Sequence, residues 1–336
     1  MSAVAERAAL VAYRAGWFVV RRVPGSVAYR AFDLIADVAW RRGGRSVQRL
    51  RSNYARVRPE LDPATFDALV REGMRSYLRY WCDAFRLPDV RLQELVETIR
   101  TEGDEPVREQ LATDRGAIMF LGHLGNWDTG GAWSTTQLAP VTTVAERLRP
   151  EELFEQFLAF RESLGIRIIP LTGGSDVFRE LLTALRGGAL VALLADRDLT
   201  QGGVEVDLCG RPARMAVGPA ALAVATGAAL HPLSVFYEPA TGLRGGRRHR
   251  VVLRFHDRVP VPAHGTTRDK VQQMTQACAD ALSGTIREHT QDWHMMQRVF
   301  VDDLDDVDAV ADRGDRGDRV DHAPAAPSLT TDRAAP

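Results

Sequence analysis

The chain has 336 residues, 45% of them hydrophobic and 26% charged, with a formal net charge of -1. That length allows one large domain of ordinary globular composition, and the even charge gives no basis for a nucleic-acid partner. Its three cysteines, Cys82, Cys209 and Cys278, are far apart, odd in number and form no CxxC pair and no zinc spacing, so a reduced cytosolic compartment fits best.

Residues 4–58 read as helical and amphipathic, broken at Pro24-Gly25. Residues 1–60 hold twelve arginines against four acids (Glu6, Asp33, Asp37, Glu60). Two readings stay open: packed helices with solvated arginines, or a surface lying on an anionic bilayer with arginines at the headgroups. The first apolar stretch contains Arg14, Arg21 and Arg22, so no secretory leader is expected. No apolar run of about 18 residues occurs, so no transmembrane helix is expected.

Residues 63–101 read as helical again, with Asp62 as cap and Pro63 in the first turn. Tyr77, Tyr80, Trp81 and Phe85 form an aromatic stripe there, for which core packing is the default. From residue 117 short apolar runs alternate with helical stretches. Strands are predicted at 117–121, 141–144, 166–171, 189–195, 204–208, 230–237 and 251–255. Helices are predicted at 127–137, 150–164, 175–186, 218–226 and 267–288. This pattern predicts an α/β fold with a mixed central sheet flanked by helices. Past residue 302 the chain turns acidic, then rich in Arg, Gly, Pro and Ala. The expected organisation is one domain over 1–302, its first 58 residues membrane-associating, and a disordered tail over 303–336.

In open α/β sheets, ligands bind beyond the carboxyl ends of the strands. The first strand of this region runs into His123, the next ends at Glu146, and the 189–195 run ends at Asp196-Arg197-Asp198. A histidine beside a carboxylate is the ordinary device for deprotonating a hydroxyl near neutral pH. Two carboxylates compete to be that partner. Asp128 follows His123 by five residues, about 140° around a continuous helix, so the two meet only if His123 lies in the turn before the helix. Gly122, Gly125 and Asn126 allow such a turn. Asp196 comes from a different strand end. In the helix predicted at 150–164, Leu153, Phe157, Phe160 and Leu164 make an apolar face with Arg161 at its edge. A cation there is either paired, with Glu146 or Asp128, or binds an anionic substrate group.

No GxSxG elbow, P-loop, GxGxxG or HExxH is present. The expected chemistry is therefore direct, without covalent intermediate, metal or cofactor.

His123-x4-Asp128, within Gly122-His123-Leu124-Gly125-Asn126-Trp127-Asp128, resembles the signature of the bacterial lipid A lauroyl/myristoyl acyltransferase family. Other stretches are similar to the actinobacterial branch that acylates phosphatidylinositol mannosides: Arg79-Tyr80-Trp81, Ala145-Glu146-Arg147-Leu148, Arg197-Asp198-Leu199-Thr200 and Asp292-Trp293-His294-Met295. The resemblance implies transfer of a palmitoyl-type chain from acyl-CoA to a mannose hydroxyl of a phosphatidylinositol mannoside, by a peripheral protein at the cytosolic face of the plasma membrane. It implies that His123 pairs with Asp196, where the branch usually has Glu, and that Asp128, Glu146 and Arg161 belong to the site. On this reading Asp128 holds the His123 turn, and Glu146 and Arg161 position the acceptor. Arg147, Arg149, Arg211 and Arg214 meet the CoA phosphates. The alternatives are a lipid A-type enzyme using acyl-carrier protein, and a non-catalytic lipid-binding membrane protein.

Overall fold

A computed structural model describes residues 16–113, 115–146, 151–171, 176–198 and 202–304. Helix α1 (16–22) precedes Pro24, followed by α2 (Gly25–Arg42) and α3 (Arg45–Val57). The sequence foresees the break at Pro24-Gly25 but not the one at Gly43-Gly44. Gly43, at φ 60°, closes α2 in the left-handed conformation. Helix α4 (Pro63–Arg86) starts where expected: the Asp62 carboxylate accepts from Ala64 N at 3.0 Å and Thr65 N at 3.2 Å.

The helical stretch expected over 63–101 is not continuous. Pro88, which has no N–H to donate, lies in a single 3-10 turn. A short α5 (Leu92–Thr98) then leads into β1 (Ile99–Glu102). The remaining elements alternate: α6 (Glu105–Leu111), β2 (Ala117–Leu121), α7 (Trp127–Gln137), β3 (Val141–Glu146), α8 (Glu151–Ser163), β4 (Arg167–Leu171), α9 (Asp176–Arg186), β5 (Leu190–Leu194), the pair β6 (Val204–Leu208) and β7 (Arg211–Met215), α10 (Gly218–Thr226), β8 (Ala229–Pro239), β9 (His249–Phe255) and α11 (Thr267–Glu288).

The main sheet has the order β1-β9-β8-β2-β5-β3-β4. Strands β8, β2, β5, β3 and β4 are parallel; β9 runs antiparallel to β8, and β1 parallel to β9. The sheet is thus mixed and flanked by helices, as the sequence predicts. Its central strands, Ala117-Ile-Met-Phe-Leu121 and Leu190-Val-Ala-Leu-Leu194, are apolar throughout because helices cover both faces. Ile118, Phe120, Val191 and Leu193 pack toward α9, α10 and α11. Met119, Leu121 and Leu190 pack toward α7. Residues Leu121 and Leu194 are in register, so both chains leave the sheet side by side. His123 and Asp196 each come two residues later.

The N-terminal helices brace this edge. Helix α2 buries Ala28, Phe32 and Ala36, and its Asp37 accepts from Arg71 Nε and Arg75 Nε of α4, both at 2.9 Å. In α3, Asn53 Nδ2 donates to the carbonyls of Met295 (2.7 Å) and Gln297 (2.9 Å). The Tyr54 hydroxyl donates to Trp293 O at 3.0 Å. Asp303, read from sequence as the start of the tail, lies in a helical stretch at 301–304 and pairs with Arg49 and Arg56. The tail from 305 onward and residues 4–15 lie outside the described residues.

Replacing Asn53 by Ala removes both donors from a fully buried position. We expect a loss of about 2 kcal/mol in urea unfolding, the penalty for stripping partners from buried carbonyls. An unchanged midpoint would show that 295–297 is held by other contacts.

Candidate active site

His123 lies in the turn between β2 and α7, ahead of the helix. The two competing partners are separated by geometry. Its Nδ1 is 2.6 Å from Asp196 Oδ1, and its backbone N–H donates to Asp196 Oδ2 at 2.8 Å. Asp196 is fully buried. A third donor, Trp293 Nε1, reaches Oδ2 at 3.0 Å. Burial opposes the charge on Asp196, but the facing His123 and the bonds from His123 and Trp293 outweigh it and hold the carboxyl below its ordinary range. A carboxylate can only accept, so the proton between the two groups sits on His123 Nδ1. Nε2 is left as the basic nitrogen. The short Asp196 side chain reaches because Gly122 leaves room: a Cβ there would stand 3.1 Å from Asp196 Oδ2.

A C-terminal strap holds the turn from the other side. Leu124 and Trp293 form an antiparallel bridge. His294 N donates to His123 O at 2.7 Å, and Gly125 N to Asp292 O at 2.8 Å. Gly125 must be glycine, since it has φ 60° and a Cβ there would lie 2.4 Å from Val235 O. Side chains lock the strap in turn. Ser76 Oγ donates to Asp292 Oδ1 at 2.5 Å and lies 3.0 Å from His294 Nε2. Tyr237 N donates to Asp292 Oδ2 at 2.9 Å. Burial, with the charges of Arg79 and His123, pushes the His294 imidazole down to about 3. It is neutral, with its proton on Nε2 toward Ser76. Sequence reasoning named Trp293 and His294 only through resemblance and missed Ser76. Contacts spanning more than 200 positions leave no local signal.

Asp128 lies at the start of α7, just after the His123 turn. It is buried in the first turn of α7 and accepts from Tyr80 OH at 2.7 Å and Arg161 Nε at 2.8 Å. Its carboxylate faces these two groups rather than His123. The turn is held by Asp196, by the strap and by Asn126, whose Oδ1 caps α7 at Thr129 N (2.9 Å). Arg161 therefore pairs with Asp128, one of the alternatives left open. Burial disfavours its charge, but Asp128 and Tyr80 outweigh that and raise its pKa. Tyr80, read as a core aromatic, is buried and also binds at the site.

Glu146 pairs with Arg197, whose Nη2 lies 3.4 Å from Glu146 Oε1. Arg214 sits beside the β5 end, its carbonyl accepting from Asp198 N at 3.1 Å. Arg211 is at the exposed, turn end of the β6–β7 hairpin. Arg147 and Arg149 lie outside the described residues.

Between α7 and the sheet is an apolar cavity of about 640 Å³ of atom-free space, its open mouth included, lined by Leu121, Val144, Leu190, Ala192, Leu194 and Leu233 among others. Trp127, Asp128 and Arg161 also line it, and the Trp127 ring lies 5.7 Å from that of His123. An apolar chamber with a few polar groups suits a substrate with a long hydrocarbon part.

The family model of bacterial lipid A biosynthesis acyltransferases matches residues 3–301. The chain is 40% identical over 306 residues to the phosphatidylinositol mannoside acyltransferase of Mycobacterium tuberculosis (strain ATCC 25618 / H37Rv), covering 90% of this chain and 92% of the relative. It is 40% identical over 293 residues to that of Mycolicibacterium smegmatis, covering 87% and 91%. The chain belongs to the bacterial lipid A biosynthesis acyltransferase family and is an acyltransferase.

The neutral His294 has a consequence for stability. Its folded pKa of about 3 lies below the ordinary 6.5, so between these values the unfolded chain holds the extra proton. Its contribution is then complete above about 6.5 and is lost as pH falls toward 3, by up to ~1.4 kcal/mol per unit. We expect urea unfolding of His294→Gln to weaken less than wild type between pH 7 and 4. Parallel losses would contradict a neutral His294.

Proposed function

We propose that this acyltransferase moves a long, palmitoyl-like chain from acyl-CoA to a mannose hydroxyl of a phosphatidylinositol mannoside or a similar glycolipid. The observation that carries the reading is His123 Nδ1 bonded to the buried Asp196 carboxylate, which leaves Nε2 available. Nε2 takes the acceptor's hydroxyl proton as the oxygen attacks the thioester carbonyl, and Asp196 stabilises the imidazolium that forms. The tetrahedral adduct then collapses, breaking the carbon–sulfur bond. The imidazolium returns its proton to the departing thiolate, giving the glycolipid ester and free CoA. No bond between enzyme and acyl group forms.

The acceptor assignment is supported by the names and extent of the two mycobacterial relatives. The apolar cavity suits the acyl chain. Arg214 and Arg211, with Arg147 and Arg149, are the cations we assign to the CoA phosphates. Membrane contact is supported by exposed apolar side chains on α1 and α2. Phe18 (58% exposed), Val19, Val27, Leu34 (67%) and Val38 face outward, with exposed Arg22, Arg30, Arg41 and Arg42 among them. Such a surface lies in an anionic interface without crossing it. No helix among the described residues is long and apolar enough to span a bilayer. The side we assign is the cytosolic face of the plasma membrane.

The test is purified enzyme offered palmitoyl-CoA or palmitoyl-acyl-carrier protein, each with a phosphatidylinositol mannoside or a lipid A precursor. We expect transfer from CoA to the mannoside. Preference for acyl-carrier protein and lipid A precursor would favour the alternative enzyme, and no turnover with any pair a lipid-binding role. His123→Ala should lower transfer by about 10³-fold or more in a protein that still folds; a wild-type rate in that variant would remove His123 as the base.

A further inference from the structure

Arg197 belongs to the strand-end set, and the mechanism leaves it without a task. It directly follows Asp196, so it leaves the sheet beside the His123–Asp196 pair, and it is only 9% exposed. Its Nη1 is buried without a hydrogen-bond partner among the described residues. Its Nη2 makes one long contact, 3.4 Å, to Glu146 Oε1. Arg161, the other arginine of the site, by contrast has its Nε bonded to Asp128 at 2.8 Å. Burial outweighs Glu146, Asp196 and Asp198 and lowers its pKa. A buried guanidinium with an unused donor is costly, and such groups persist where a ligand completes them.

The surrounding charge selects the ligand. Glu146, Asp196 and Asp198 are the acids acting on Arg197, and together they outnumber its single positive charge. A phosphate or carboxylate brought to Arg197 would be repelled by these carboxylates. A neutral polyol would not. Its hydroxyls accept from Nη1, and donate to the Glu146 carboxylate, whose side chain is 40% exposed.

We infer that Arg197 and Glu146 form a clamp for adjacent hydroxyls of the acceptor sugar, holding the ring so that the hydroxyl to be acylated faces His123 Nε2. This rests on the proposed glycolipid acceptor and assigns the sugar, rather than the CoA phosphates, to Arg197 and Glu146. Arg197 is an acceptor-binding residue and takes no part in proton transfer.

The experiment is steady-state kinetics of the full chain with palmitoyl-CoA and a short-chain phosphatidylinositol mannoside, alongside analogues lacking single mannose hydroxyls. Arg197→Gln should raise KM for the mannoside by about tenfold or more, the cost of one lost charged hydrogen bond, with KM for palmitoyl-CoA within about twofold of wild type. One deoxy analogue should be about tenfold worse for the wild type and no worse for Arg197→Gln than the intact mannoside. Arg197→Lys should recover part of the loss. An unchanged mannoside KM, a rise in palmitoyl-CoA KM alone, or equal sensitivity of wild type and variant to every deoxy analogue would overturn the clamp. Absence of any transfer to the mannoside by the wild type would instead overturn the acceptor assignment on which it rests. Should Arg197→Gln fail to fold, Glu146→Gln, altered on the more exposed partner, carries the same comparison.

Discussion

The Asp196 carboxylate is buried without access to water, and the arrangement of the site follows from that. An ionised carboxyl in such a place must be matched by donors, or it takes up a proton and stops orienting anything. Three donors meet it: the ring and backbone nitrogens of His123 and the indole nitrogen of Trp293. They come from two separate constraints of the fold. The His123 ring and backbone are set by the β2 exit, which the β2–β5 register places next to the β5 exit. The indole arrives on a strap from the C-terminal end of the domain.

That strap links the site to the N-terminal helices. Asn53 and Tyr54 of α3 hold the carbonyls of residues 293–297. Ser76 of α4 binds Asp292. The same α4 carries Tyr80 to Asp128 and anchors α2 through Asp37. The helices with the exposed apolar surface are therefore mechanically continuous with the turn that bears His123. The proposed docking of α2 on a membrane would thus act on the same packed unit that orients the histidine. The polar network at the centre is costly unless fully matched, which explains why its partners come from so many elements.

Much of this was legible in the sequence, for identifiable reasons. Strands buried on both faces are uninterrupted apolar runs, so β2 and β5 stand out, and their ends pointed to His123 and Asp196. Asp62-Pro63 announced α4 through capping chemistry. What escaped was short or distant. β1 (Ile-Arg-Thr-Glu) and β7 (Arg-Pro-Ala-Arg-Met) carry too few apolar residues to signal a strand. Periodicity could not show that Tyr80 uses its hydroxyl on Asp128, or that Arg161 settles on Asp128 while Glu146 takes Arg197. Ser76, Trp293 and His294 gather around the turn only through the folded chain. Asp196, with its short side chain, reaches His123 because Gly122 lets the two strand exits approach.

The central claim is that the Asp196 carboxylate fixes the proton of neutral His123 on Nδ1 and leaves Nε2 as the base. Nitrogen-15 NMR of histidine-labelled enzyme at a pH where His123 is neutral reads this directly. The account predicts a protonated Nδ1, with its proton shifted far downfield by the carboxylate, and a bare Nε2; Asp196→Asn should remove that signal. A neutral His123 carrying its proton on Nε2, with Nδ1 bare, would contradict the account.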